Sequence, residues 1–172
     1  MPSTSCLFPV AILAGALAGI GCAPFDEVGD CPSPCVGDTI CIGTICEPAF
    51  PRTYTMTLAV SMATRDPRGQ CWDEPFCGEP DPFAVVKLDG VEIGRTPEQS
   101  GTFASWPGRP FTLTLDRPRS VTIEIFDSDV DVDDFAARCE ATPVTAADLR
   151  RGRLSCPTRP GESSISADLV AG

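Results

Sequence analysis

The sequence predicts an all-β fold, an antiparallel β-sandwich of about eight strands over residues 52–172. The first observation is a period of two: Tyr54, Met56, Leu58, Val60 and Met62 share one face of a segment whose other face carries Thr53, Thr55, Thr57 and Ser61. That is the signature of a half-buried strand. The second is spacing, because similar short runs recur between Pro, Gly and Asp clusters with no sustained helical period. The third is an acidic stretch, Asp127-Ser128-Asp129-Val130-Asp131-Val132-Asp133-Asp134, which directly follows an alternating run and so connects strands.

Residues 1–21 contain no charged side chain, and Leu7 to Ile20 is an apolar Ala/Gly-rich run. This reads as an export signal whose apolar core is shorter than a membrane span. Ile20 and Gly21 before Cys22 resemble a bacterial lipobox, which implies lipidation of Cys22 and a lipid-anchored protein of the cell envelope, in the outer membrane. Cysteine arithmetic agrees. Removing residues 1–21 removes Cys6 and leaves nine of the ten cysteines, and lipidating Cys22 leaves an even eight. Even counts in exported chains imply disulfides.

Residues 22–51 read as a Cys-rich stalk, with Cys31, Cys35, Cys41 and Cys46 among Pro and Gly and little apolar pattern. Such a segment needs staples. Three pairings are open. A four-cysteine zinc site is the rival, but neither Cys-x3-Cys nor Cys-x4-Cys is the usual knuckle spacing. Glu47 to Pro51 then forms a stiff linker.

In the sandwich, Phe83 to Leu88 is followed by Asp89-Gly90, a hairpin signal, and by Val91 to Gly94. Phe111 to Leu115, Val121 to Phe126 and Ile165 to Leu169 supply further strands. Thr145 to Asp148 has a capping-box pattern and Gly152 the terminator of a short helix. Cys139 and Cys156 flank that helix and most simply bridge it to a neighbouring strand. Cys71 and Cys77 bracket a short acidic and aromatic loop.

The acidic run points to a hard divalent cation, which takes six to eight oxygen ligands. Carboxylates a few Å apart repel by up to ~4 kcal/mol per pair at an effective dielectric near 20, and a bound ion offsets that. An EF-hand is excluded, because the place of its obligatory Gly holds Val132 and that of its bidentate Glu holds Arg138. The chain has no His. Serine or cysteine triads are therefore excluded, and zinc, copper and iron lack their usual imidazole ligand. No enzyme active site is expected. A formal charge of −11 argues against nucleic acid.

The order of these pieces resembles the C2 domain, a calcium-dependent membrane-binding β-sandwich. Asp81-Pro82-Phe83 and the hairpin after it are similar to the family's Asp-Pro-Tyr strand. Trp106-Pro107 is similar to the tryptophan of its Asn-Pro-x-Trp-Asn-Glu segment, without the flanking Asn and Glu. Ile125 to Asp129 with Asp133-Asp134-Phe135 resembles the third calcium loop, one residue short. The resemblance implies a calcium cofactor held by Asp81, Asp127, Asp129 and Asp134. Asp66 is the match for the remaining first-loop ligand, fifteen residues before Asp81 because residues 71–77 are inserted; Asp73, Glu74 and Glu79 are its alternatives.

Two functions follow. One is calcium-dependent docking to phospholipid headgroups or another anionic partner, with Val130, Val132, Trp72 and Phe76 as apolar tips. The other is a non-catalytic structural or adhesive surface module that binds protein or glycan. The alternative for those four residues is that Trp72 and Phe76 pack over a Cys71 to Cys77 disulfide and the valines face inward. Lys87 is the only lysine, so a polybasic lipid patch is weakly supported.

Overall fold

The structure is a computed structural model that describes residues 31–72, 77–129, 133–156 and 161–172. The signal segment, Cys22, Phe76, Val130, Val132 and the alternative ligands Asp73 and Glu74 lie outside the described residues.

A small hairpin comes first: β1 (Thr39–Ile42) pairs antiparallel with β2 (Ile45–Pro48). Its disulfides are Cys31–Cys41 and Cys35–Cys46, which settles the three open pairings. This hairpin is docked. Ile40 and Ala49 are buried in the same apolar cluster as the sandwich core.

The sandwich begins with β3 (Arg52–Ser61), whose Tyr54, Met56, Leu58 and Val60 are buried as the alternation predicts. Next come β4 (Pro82–Leu88) and β5 (Val91–Arg95), joined by Asp89-Gly90 with φ of 49° and 79°. Both residues are left-handed, as a two-residue hairpin turn requires. Then follow β6 (Phe103–Ser105), β7 (Phe111–Leu115), β8 (Val121–Asp127) and β9 (Asp134–Ala141). The last elements are α1 (Ala146–Arg151), β10 (Arg153–Leu154) and β11 (Ser164–Ala171).

One sheet has the order β10-β11-β3-β6, with β7 sharing the β6 edge of β3 nearer its start; the other has the order β5-β4-β8-β9. All pairings are antiparallel. Between the sheets, Met56, Leu58 and Val60 join Ala84, Val86, Ile123 and Ile125 in one core. Trp106 is buried there too, its Nε1 donating to the Pro97 carbonyl at 2.9 Å. A Cys139–Cys156 disulfide ties β9 of one sheet to the segment after β10 of the other.

The short helix carries the predicted capping box, with Asp148 N donating to Thr145 Oγ1 and Gly152 in the left-handed conformation at its end. It also does something the sequence does not announce. Arg150 Nη1 donates to the Gly37 and Thr39 carbonyls at 2.7 and 2.9 Å, clamping the N-terminal hairpin onto the sandwich.

Candidate functional site

Strand register assembles the site. Asp127 ends β8 directly opposite Asp134, the first residue of β9, and opposite Pro82 at the start of β4. Asp81 precedes that proline, so three of the predicted ligands arrive on adjacent strand ends. Asp127 has no exposed surface, and its Oδ1 accepts the Asp81 backbone N–H at 2.6 Å. The Ser128 N–H donates to the Asp81 carbonyl at 3.1 Å. Entry and exit loops are thereby stitched together by main chain. Further out, Asp129 N donates to Asp133 Oδ1 at 3.3 Å.

Asp66 reaches the same end from the loop after β3. It is 5 % exposed, and its Oδ1 accepts from the backbone of Arg68 at 2.9 Å and of Gln70 at 2.6 Å. Arg68 Nε donates to Asp66 Oδ2 at 2.6 Å, while its Nη2 donates to both oxygens of Asp134 at 2.9 and 3.0 Å. One guanidinium therefore bridges the first loop to the third. Burial pushes the Asp66 carboxyl up, but the Arg68 and Gln70 hydrogen bonds hold it below the usual carboxylate range. Nothing in the sequence singles out Arg68, since its pairing with Asp134 spans 66 positions.

The donor set suits a hard cation: carboxylates from separate loops meet at one end of a rigid scaffold. A positive group already stands between two of them. Among the described residues, however, no three aspartates bring their oxygens within 4.8 Å of one another; the only such group is Cys31, Cys35 and Cys46, all locked in disulfides. Those cysteines are not a zinc site.

The inserted loop departs from one expectation. Cys71 and Cys77 are joined, but Trp72 is only 2 % exposed, and its Nε1 donates to the Ala63 carbonyl at 2.8 Å. Trp72 is thus a core residue and not a membrane-contacting tip. The ring needs apolar cover and its N–H a partner, and both are found inside.

On the outer face of the four-stranded sheet, Phe83, Phe126 and Phe135 form a row with ring centroids 5.5 and 5.9 Å apart. Buried Glu124 accepts from Lys87 at 2.6 Å and from Arg138 at 2.5 Å, and Arg95 pairs with Glu92. Each of these three cations is thus engaged by a carboxylate, Lys87 and Arg138 sharing Glu124. Among the described residues, no helix is long and apolar enough to cross a membrane.

No family model and no curated protein matches the sequence. Solved structures do match. A structure described as that of a C2 domain is 16% identical and aligns over 69% of this chain and 97% of its own, with a TM-score of 0.50. The paired C2 domains of Extended-Synaptotagmin 2 align at 15% identity over 81% of this chain and 47% of theirs, with a TM-score of 0.52. Their calcium-bound form aligns at 13% over 70% and 45%, again at 0.52. This chain therefore spans about half of that two-domain protein. At such identities the likeness is one of fold, and in fold this protein is a C2-like antiparallel β-sandwich.

Proposed function

We propose that the protein is a non-catalytic binding module that docks onto anionic phospholipid through calcium held by its aspartate loops. Asp81, Asp127, Asp129 and Asp134 would hold the ion, with Asp66. The observation that carries this reading is the convergence of Asp66, Asp81, Asp127 and Asp134 at one end of the sandwich, where a guanidinium already links Asp66 to Asp134. Calcium supplies positive charge that carboxylates and headgroup phosphates can share. The similar fold of a calcium-bound C2 structure supports the assignment. The lipobox-like start supports export and attachment to the cell envelope by a lipid at Cys22.

Sedimentation with phosphatidylserine-containing vesicles tests it. Co-sedimentation in millimolar calcium and release by chelator is the expected result. Calcium binding without co-sedimentation would instead favour the structural or adhesive module with a protein or glycan partner.

A further inference from the structure

We infer that Arg68 is a built-in counter-cation that competes with calcium for Asp66 and Asp134, and so sets how much calcium the site needs. The inference rests on the calcium reading above. Its basis is which oxygens the guanidinium uses. Both oxygens of Asp134 and Oδ2 of Asp66 accept from Arg68 side-chain nitrogens, and Asp66 Oδ1 accepts two backbone N–H groups. Those are the atoms an ion at this end of the sandwich would need. An arginine fork satisfies two carboxylates at once, so the loops are held together with their repulsion offset before any metal arrives.

The competitor is also placed to leave. Asp66 has a side chain 1 % exposed, whereas Arg68 is 63 % exposed and Asp134 35 %. Ion pairs on that exposed side are weak and screened by water. The Asp66 carboxylate stays fixed when the arginine swings out, because the Arg68 and Gln70 main-chain N–H groups still donate to it. The turn closes independently of the guanidinium through Asp66 N to the Gln70 carbonyl at 3.0 Å and Gly69 N to the Asp66 carbonyl at 2.9 Å. Displacement therefore exchanges one cation for another with the first loop already shaped.

Calorimetric titration of calcium chloride into the full oxidised chain and its Arg68→Gln variant tests this. Glutamine keeps polar reach and removes the charge. About tenfold tighter calcium binding is expected, within the roughly 5–150-fold span of ordinary site couplings. In chelator the variant should also melt lower than the natural chain, so its calcium-induced rise is larger. Equal or weaker binding by Arg68→Gln, with the natural chain binding, would overturn the inference and leave the calcium reading standing. Calcium binding by neither protein would overturn both. If Arg68→Gln fails to fold, Arg68→Lys, which keeps the charge but loses the fork, should bind about two- to threefold tighter; unchanged affinity there would also overturn it.

Discussion

Asp127 Oδ1 receives the backbone N–H of Asp81 at 2.6 Å, in a place with no solvent exposure of the aspartate. One candidate ligand thus positions another, and the carboxylate has a structural duty independent of metal. Asp127→Ala should destabilise the metal-free protein by about 1–3 kcal/mol, since it leaves a poorly hydrated N–H without its acceptor. Asp127→Asn keeps an acceptor oxygen and should stay within about 0.5 kcal/mol of the natural chain. Denaturant melts in chelator measure both.

Calcium itself should be visible in stability. At a dissociation constant of about 0.1 mM, about 1 mM calcium adds ~1.4 kcal/mol. For a domain of this size that is a rise of about 3–8 °C in the melting midpoint. Asp127→Asn combined with Asp129→Asn should abolish the rise while the fold persists by near-ultraviolet circular dichroism.

Glu124 gives the sandwich an acid-sensitive fastening. The Lys87 ammonium holds its carboxyl below the usual 4.5, against the opposing effect of burial, and Arg138 adds to the lowering. A depressed folded-state pKa stabilises the fold above the unfolded value and ceases to do so as pH falls through the folded one. The contribution is therefore complete above about pH 5 and fades below 4.5. Glu124→Gln should cost about 1–2 kcal/mol at about pH 7, charge-assisted hydrogen bonds being discounted for the exposure of Arg138 and Lys87. Its stability should then fall less steeply between about pH 5 and pH 3 than that of the natural chain.

Tyr54 is the single tyrosine of the chain. Its hydroxyl donates to the Ala49 carbonyl at 2.7 Å, joining β3 to the segment that leads from the hairpin, and burial pushes its pKa up to about 12, against Arg52. Ultraviolet titration should show phenolate forming near 12 in the folded protein and near 10 after unfolding. With the folded value raised, stability is unaffected below pH 10 and is lost as pH rises toward 12. Tyr54→Phe should cost about 1 kcal/mol, because the buried Ala49 carbonyl loses its donor.

The strands with a clean period of two, β3, β7, β8 and β11, were legible in the sequence, as were the Asp89-Gly90 turn and the capped helix. β9 was not. Its pairing moves from Phe126↔Phe135 to Ile125↔Ala137, leaving Ala136 as an extra residue. Such a bulge breaks alternation, so buried Ala136 and Cys139 stand three apart and the segment reads as acidic loop. Within the site, the aspartates were legible because like charges were crowded in sequence. Arg68 was not, because its partners are set by the meeting of two distant loops. Trp72 differs between sequence and structure for a related reason: an aromatic beside two cysteines and acids reads as an exposed tip until the core that receives it is known.

The clamp from Arg150 to Gly37 and Thr39 fixes a polarity. The N-terminal hairpin adjoins the start of β3 at Arg52, and the aspartates gather beyond its end at Ser61. Ten extended residues separate the two, roughly 33 Å at ~3.3 Å per residue. Anything that holds this chain by its N-terminal hairpin therefore holds it at the pole opposite the aspartates. A molecule tethered to one surface in this way would turn its acidic end outward, toward whatever faces that surface, in the posture of a bridge and not of a foot.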